Sequence, residues 1–269
     1  MRSKPQLGAG DQNLDNLDMV EQNKIHKIKN CILLTATIDP LNTVFVKRSE
    51  PHVRENDYLN SLRMWLKTDI FPIVFCENSN YNLKRIKSLL KSCSKLKTEC
   101  LQFDGRTFPK ELGKGYGELL IIRHALKNSS IINNCEFVIK VTGRYFIKNI
   151  RKITDILATD KDIYVIADLK GNLTWADSRV FAFKPSFALN YLSKYQNMLN
   201  DSKGFYLEHA LGRAVTRAIS DGYKWTPLPV KPVIIGYSGT YDNKYKESKV
   251  WWLASGLVHS VKNYLNKRH

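Results

Sequence analysis

Short runs of apolar residues alternate with amphipathic stretches over the first two thirds of the chain. Five runs rich in β-branched and aromatic residues are typical of buried strands, and they span residues 31–37, 71–77, 98–103, 137–141 and 163–168. Between them, apolar positions recur at helical spacing over residues 54–68, 83–94, 119–127 and 149–158. Strands that alternate with helices at short intervals predict an α/β fold with a mostly parallel central sheet and helices on both faces.

The last third of the chain has a more helical pattern. It predicts helices over 186–198 and 206–220, short strands over 180–183 and 230–237, and a polar loop over 238–248. We therefore expect one α/β domain over residues 28–248, after a polar leader (1–27) with the composition of a disordered segment. Residues 249–269 predict a final amphipathic helix. Its Trp251, Trp252 and lysines suit it either to dock on the core or to lie at a membrane surface.

The chain is strongly basic. Lys and Arg number 42 and Asp and Glu 25, which gives a net charge of +17 and predicts an anionic partner. The lysines are spread along the chain, and we recognise no zinc finger, no RNP-like strand and no dense basic patch. Nucleic acid is therefore not the expected partner. Five cysteines without CxxC spacing favour a reducing, cytoplasmic location over a disulfide frame or a structural zinc site. The sequence also predicts no signal peptide and no membrane span.

The fourth strand ends at Thr142-Gly143-Arg144. In open α/β sheets, ligands bind just outside the carboxyl ends of the strands. Glycine lets the backbone turn there, and the guanidinium fork of an arginine suits phosphate. The first strand delivers residues 35–39 to the same edge. These residues predict a site for a phosphate-bearing ligand, with a solvated strand end as the alternative.

Two further motifs resemble known ligand-binding patterns. Gly113–Glu118 lacks both the Gly-Lys-Ser/Thr ending of a P-loop and the spacing of the dinucleotide fingerprint. It predicts either a helix cap or a helix N-terminus that accepts an anion, with Lys114 facing the ligand. Asp160-Lys161-Asp162 has the form Asp-x-Asp but precedes a strand, so we expect a solvated turn on the opposite edge of the sheet.

Polar residues of the last third supply further candidates. Asp177 lies in the loop over 171–179, where Trp175 would either stack on a sugar or a base or simply anchor the loop. Glu208 stands at a helix start, either as a general base or acceptor ligand or as a charge that the helix dipole favours. His259, in the final helix, would either pack on apolar residues or contact a diphosphate.

The order of these pieces, from residue 30 to about 259, resembles the GT-A glycosyltransferase family. The resemblance rests on the stretches LLTATIDP, RENDYLNSLRMW, IVFCENSNY, GKGYGELL and FVIKVTGRYF. Within the family, the chain is most similar to small bacterial sugar transferases that build capsule or lipopolysaccharide. It departs from the family after the fourth strand, where Thr142-Gly143-Arg144 replaces the usual Asp-x-Asp.

The resemblance implies a Rossmann-like GT-A fold with a nucleotide-sugar donor over the strand ends. The residues that would bind the donor, by position, are Thr35, Thr37, Asp39, Arg54, Lys114, Lys140, Thr142, Gly143 and His259. Arg144, with Lys140 or Lys114, would neutralise the departing diphosphate without a metal, and Mn²⁺ or Mg²⁺ is the alternative. Lys140 is also compatible with an exposed sheet edge. Asp177 or Glu208 would take the acceptor proton if the reaction inverts, and Trp175 and Glu208 would contact the acceptor.

The expected activity is sugar transfer to a hydroxyl of a glycan or a lipid-linked acceptor in surface polysaccharide synthesis. The expected location is the cytoplasm, with a peripheral contact at the inner face of the membrane. The alternative is a basic nucleotide- or sugar-binding module, without catalysis, in a polysaccharide assembly complex. An inverting and a retaining reaction both remain open at this point.

Overall fold

A computed structural model of the chain describes residues 28–245, except 42 and 94. The predicted leader, the predicted final helix and His259 lie outside the described residues. Within them, a central sheet contains seven strands: β1 (Ile28–Ala36), β2 (Ile73–Glu77), β3 (Thr98–Gln102), β4 (Cys135–Thr142), β6 (Ile163–Ile166), β9 (Val180–Phe183) and β10 (Lys224–Thr226). Two short antiparallel strand pairs accompany it: β5 (Phe146–Ile147) with β11 (Ile234–Ile235), and β7 (Leu169–Lys170) with β8 (Trp175–Ala176).

Helices connect these strands. The α-helices of the described residues are α1 (Pro51–Thr68), α2 (Lys84–Lys91), α3 (Gly113–Asn128), α4 (Ser130–Asn133), α5 (Ile150–Thr154), α6 (Ile156–Thr159), α7 (Pro185–Asn190) and α8 (Leu207–Ser220). Three 3₁₀ turns accompany them, at Lys110–Leu112, Leu192–Met198 and Asp201–Lys203. None of the described helices combines the length and the apolar character that a bilayer-spanning helix needs.

The strand order in the central sheet is β10-β6-β9-β4-β1-β2-β3. β9 runs antiparallel to its neighbours β4 and β6, and the other pairs are parallel. The predicted α/β class with a mostly parallel sheet is therefore confirmed. After β1, the chain forms β2 and β3 on one side of β1. It then crosses back and forms β4 on the other side of β1. The strand order thus reverses between β1 and β4, and at such a reversal an open α/β sheet has its ligand crevice.

Each face of the sheet carries its own apolar cluster. Alternate residues of β1 point to opposite faces, so that Cys31 and Leu33 pack with α3, α4, α7 and α8. Ile32 and Leu34 pack instead with α1, α2, α5 and α6. Burial on both faces explains why the strands appear in the sequence as continuous apolar runs rather than as alternating ones. The helices on the two faces were predicted and are confirmed.

Several local predictions need correction. The helix predicted from residue 119 begins at Gly113, so Gly113–Glu118 forms the first turns of α3 and not a loop. The strand predicted over 230–237 is reduced to Ile234–Ile235. The edge strand β10 (Lys224–Thr226) was not predicted, because it is three residues long and its first two side chains are partly or fully exposed.

Candidate functional site at the carboxyl edge of the sheet

Two threonines mark the point where the strand order reverses. Thr35 of β1 and Thr142 of β4 are direct partners in the parallel ladder. Both hydroxyl groups donate to Oε1 of Glu118 in α3, at 2.8 and 3.3 Å. The two threonines therefore hold a carboxylate at the carboxyl edge of the sheet, where a ligand of this fold class binds.

A buried lysine completes this cluster. Lys140 is fully buried, and its Nζ lies 2.5 Å from Oε1 of Glu118. It also donates to the Thr142 hydroxyl at 3.2 Å and to the Ser178 carbonyl at 2.5 Å. The exposed-edge interpretation of Lys140 is wrong, since β4 lies between β1 and β9. Burial would raise the pKa of Glu118, but Lys140 and the two threonine hydroxyls outweigh it and hold that pKa below its usual range.

The same network reaches α8. The Ser178 hydroxyl donates to Oε1 of Glu208 at 2.7 Å, while the Ser178 carbonyl accepts from Lys140. Glu208 lies in the first turn of α8 and is partly exposed. A line of hydrogen bonds therefore runs from Thr35 through Glu118 and Lys140 to Glu208. The structure brings together four residues predicted for the site, namely Thr35, Lys140, Thr142 and Glu208.

Asp177 has a different environment. Arg179 donates to both of its carboxylate oxygens, from Nε at 2.9 Å and from Nη2 at 2.5 Å. Burial would raise the pKa of Asp177, but the hydrogen bonds and the charge of Arg179 hold it below its usual range. Trp175 lies in β8 with the Lys170 ammonium 5.2 Å from its ring centroid, a cation–π contact. The catalytic role of Asp177 and the acceptor contact of Trp175 stay predictions.

Arg54 donates hydrogen bonds to the backbone of the turn after β1. Its Nε donates to the Thr37 carbonyl at 2.9 Å, and its Nη1 donates to the Arg48 carbonyl at 2.9 Å. Burial lowers the pKa of Arg54, which is almost inaccessible to solvent. The Thr37 hydroxyl donates to Oδ1 of Asn78 at 2.7 Å. The guanidinium that was predicted to bind the donor therefore supports the backbone of the turn, and donor binding by Arg54 stays a prediction.

Arg106 was not predicted, although it lies at the same edge. Its Nη1 is 3.1 Å from Oδ2 of Asp39, and its Nε is 3.2 Å from Oδ1 of Asp104. The two carboxylates follow β1 and β3, so Arg106 ties the two strand ends together. The signal in the sequence was Asp104-Gly105-Arg106 directly after a predicted strand, which is the same strand–glycine–arginine pattern that drew attention to Arg144.

A cleft opens beside this ion pair. It has about 640 Å³ of empty volume, part of it open to solvent. Three cations line it, Arg106, Lys110 and Lys114, together with the Phe108 ring and the polar side chain of Asn78. The remaining lining residues are Thr37, Pro40, Leu41, Thr43, Val46 and Gly117. An apolar wall with a few convergent cations is the type of surface that binds a small anionic ligand.

Asp201 contacts the start of α3, within the segment Gly113–Glu118. Its Oδ2 accepts from the Gly115 N–H at 3.3 Å, so a carboxylate already caps the start of α3. Gly113 has φ +77°, and a Cβ there would lie 2.3 Å from Oδ2 of Asp201. Burial, with a smaller contribution from the charge of Glu208, raises the pKa of Asp201 to about 6. The glycines admit this side chain, which supports the helix-cap interpretation, and the ligand contact of Lys114 stays a prediction.

Arg144 lies beneath the segment 236–239. Its Nη1 donates to the Tyr237 carbonyl at 2.9 Å, and its Nε is buried without a hydrogen-bond partner among the described residues. A Cβ on Gly239 would lie 2.5 Å from its Nη2. Burial disfavours the charge of Arg144, but Tyr58 and Tyr145 favour it and the pKa is raised. The diphosphate role of Arg144 stays a prediction and would require this segment to move.

Gly143 is explained by close packing. Its N–H donates to the Thr35 carbonyl at 2.8 Å, and a Cβ there would lie 2.7 Å from the same oxygen. The neighbouring segment over 236–245 is fastened to the β1–α1 loop, because the Arg48 guanidinium is 2.6 Å from Oδ1 of Asp242. Lys114 donates to the Thr240 hydroxyl at 2.5 Å and so reaches the same segment. Lys114 therefore lies between the cleft and this segment.

Three other predictions concern metals and the chain ends. The described residues contain no group of three His, Cys, Asp or Glu side chains that could hold a metal ion. Asp160 and Asp162 precede β6 as predicted, and Asp160 pairs with Lys224 at 2.8 Å. His259 lies outside the described part of the chain, so its donor contact stays a prediction.

Solved structures with a similar fold include both glycosyltransferases and nucleotidyltransferases. A mannosyltransferase of Pyrobaculum calidifontis, solved with GDP-Man and Mn²⁺, has a TM-score of 0.45 at 9% identity and covers 89% of this chain. This chain spans only 65% of that protein. A cytidylyltransferase of Leptospira borgpetersenii has a TM-score of 0.44 at 12% identity, covering 88% of this chain and 95% of its own. Mouse xyloside xylosyltransferase 1 has a TM-score of 0.42 at 12% identity, covering 75% and 85%.

No protein-family model matches the chain, and no curated protein matches it in sequence. The identities and TM-scores of these solved structures are too low to distinguish glycosyl transfer from nucleotidyl transfer. The choice between the two activities therefore rests on the residues of the site.

Proposed function

We propose that the protein transfers a sugar from a nucleotide-sugar donor to a hydroxyl of a glycan or lipid-linked acceptor in surface polysaccharide synthesis. The observation that carries the proposal is the hydrogen-bonded line from Thr35 to Glu208 across the carboxyl edge of the sheet. At one end Glu118 directly follows Gly117, which lines the cleft with the cations, and at the other end the line holds a partly exposed carboxylate. A transferase of this type needs both an anion-binding pocket and an acceptor-facing polar group.

On the donor side, the cations of the cleft suit a diphosphate. Arg106 offers a planar fork, although two carboxylates share it, and Lys110 and Lys114 offer exposed ammonium groups, of which that of Lys114 donates to the Thr240 hydroxyl. In this proposal these cations, rather than a divalent ion, neutralise the charge that develops on the departing nucleoside diphosphate. The Phe108 ring gives the pocket an apolar wall against which a base or a ribose can pack.

On the acceptor side, Glu208 is the better candidate for the base. In an inverting reaction the acceptor oxygen attacks the anomeric carbon, the bond to the diphosphate breaks, and the acceptor proton passes to a carboxylate. Ser178 orients one oxygen of Glu208, whereas Arg179 engages both oxygens of Asp177. We therefore assign proton transfer to Glu208.

The test is an assay with a panel of nucleotide sugars, read by mass spectrometry for nucleoside diphosphate release and for transfer to a hydroxyl acceptor. Glu208→Gln should lower kcat about 10²–10⁴-fold with little change in donor affinity, since a general base acts in the transition state. Asp162→Asn, which removes an exposed carboxylate at the other edge of the sheet, is the matched control and should keep full activity.

Other outcomes would overturn parts of the proposal. Nucleotide binding without turnover would indicate the non-catalytic binding module. Release of pyrophosphate from a nucleoside triphosphate and a sugar phosphate would indicate nucleotidyl transfer. Loss of activity in EDTA with recovery in manganese would refute the metal-free part. Full activity of Glu208→Gln would remove Glu208 from proton transfer and leave either Asp177 as the base or a retaining reaction, which needs no dedicated base.

A further inference from the structure

The outer face of α2 and the turn that follows it carry a dense row of cations, which we call the basic ridge. Its members are Lys84, Arg85, Lys87, Lys91, Lys95 and Lys97, and all six are exposed. Ile86 and Leu90 on the opposite face of α2 are buried against the sheet. The helix therefore presents its charges to solvent in a fixed orientation. The sequence-based expectation of scattered lysines is wrong for this part of the surface.

The charge of the ridge is almost uncompensated. From Asn78 to Thr98 the sequence contains no Asp or Glu. Arg85 pairs with Glu55 at 2.6 Å, whereas the five lysines form no ion pair with the described residues. Like charges three or four positions apart on a helix repel one another. An anionic partner on this face would relieve that repulsion.

The shape of the ridge indicates what kind of anionic partner fits. A groove lies on each side of α2. Lys84, Lys87 and Lys91 line the groove toward β3, and Arg85 lines the groove on the other side together with Arg63 of α1. Cations on both flanks of a protruding helix suit a flat charged surface better than a single strand that follows one groove. Among the described residues from 80 to 100 the one aromatic side chain is Tyr81, which is half-buried against the apolar cluster of the sheet, so bases would find no row of exposed rings to stack on.

We propose that the basic ridge docks on the surface of an anionic phospholipid membrane. The contact is electrostatic, because long lysine side chains reach the headgroups and no apolar residue of the ridge inserts. Each cation near such a surface strengthens binding by about fivefold, so removal of three should weaken it roughly 100-fold. This inference does not depend on the proposed sugar transfer.

The experiment compares two full-length variants with the same change in net charge. One is Lys84→Gln/Lys87→Gln/Lys91→Gln, which spares the ion pair of Arg85. The matched control is Lys127→Gln/Lys152→Gln/Lys203→Gln, which removes three exposed lysines elsewhere on the protein. Sedimentation with phosphatidylcholine vesicles, with and without phosphatidylglycerol, measures binding at several NaCl concentrations. The chain ends are identical in both variants, so any membrane binding of their own cancels.

The expected result is binding of the native protein only to the anionic vesicles, falling with salt. The ridge variant should lose about 100-fold in affinity and the control much less. Equal losses in both variants, no loss in either, or equal binding to neutral vesicles would overturn the proposal. A ridge variant that loses affinity for a single-stranded oligonucleotide but keeps its affinity for vesicles would assign the ridge to nucleic acid instead. Urea unfolding checks that both variants keep native stability.

Discussion

Replacement of Asp201 by Asn should remove a pH-dependent loss of stability from the native protein. Asp201 is buried, and one of its carboxylate oxygens accepts from the Gly115 N–H. The other oxygen is buried without a hydrogen-bond partner among the described residues. Asparagine has nearly the same volume, and its amide oxygen can accept the same hydrogen bond. The substitution therefore removes the charge while it keeps the cap of α3.

The magnitude follows from the pKa of this carboxyl group. Burial first, and then the charge of Glu208, raise the pKa of Asp201 from its ordinary 3.8 to about 6, against the opposing effects of Gly115 and Lys114. Below the ordinary value the group is protonated in both the folded and the unfolded protein, and its contribution to stability is fully present. As the pH rises through about 6, the folded protein must ionise a buried carboxyl. A difference of about 2 pKa units then costs about 3 kcal/mol.

The assay is urea unfolding, followed by tryptophan fluorescence, at pH values on both sides of this window. The free energy of unfolding of Asp201→Asn minus that of the native protein should rise by about 2–3 kcal/mol from about pH 4 to about pH 7. Glu77, whose pKa is also raised by burial, is present in both proteins and cancels. Asp162→Asn measures the effect of removing an exposed carboxylate. A difference between Asp201→Asn and native that stays constant with pH would refute the reasoning.

Two further substitutions test the packing of the site. Lys140→Met should lower the free energy of unfolding by about 3–5 kcal/mol at neutral pH, because it leaves the carboxylate of Glu118 without its buried cation, and urea denaturation measures this. Gly239→Ala should lower it by about 1–3 kcal/mol, because the new Cβ would lie 2.5 Å from Nη2 of Arg144, and thermal unfolding followed by circular dichroism measures this.

Each of these substitutions has a second variant as its control. Glu118→Leu in the Lys140→Met protein should restore part of the lost stability, since the unpaired charge is then gone. Arg144→Met in the Gly239→Ala protein should relieve the close contact. If Gly239→Ala alone were neutral, the guanidinium would be free to move, and the account of Arg144 as held beneath residues 236–239 would be wrong.

Predictions from the sequence were most accurate where burial is uniform. β2, β4 and the part of β1 that begins at Cys31 are buried on both faces, so their apolar runs were visible without knowledge of their neighbours. β10 is short and lies at an edge, with a polar first residue, so no such run existed. The Gly113–Glu118 segment is harder, because its conformation depends on Asp201, which comes more than 80 residues later in the chain. The pattern of residues near Gly113 cannot reveal that a carboxylate so distant in the chain caps the helix.

For the site residues too, the sequence predicted their position along the strands but not their distant partners. The sequence could place Thr35, Thr142, Gly143 and Arg144 at one edge of the sheet, because the carboxyl ends of parallel strands meet there. It could not determine that residues 236–239 cover Arg144. Nor could it determine that Lys140, in the middle of a strand, faces a carboxylate of α3. Such pairings depend on how strands and helices distant in the chain come together.

By itself, then, the sequence determined the alternation of strands and helices, the edge of the sheet where the polar residues collect and the positive charge of the whole protein. These properties follow from the spacing of apolar residues and from composition, and both are local. Only the tertiary structure decided that a buried Lys140–Glu118 pair is linked through Ser178 to Glu208, that Arg106 faces the cleft and that Arg144 lies covered. Hydrogen bonds and ion pairs need partners within a few ångströms, and the fold alone sets which residues meet at that distance.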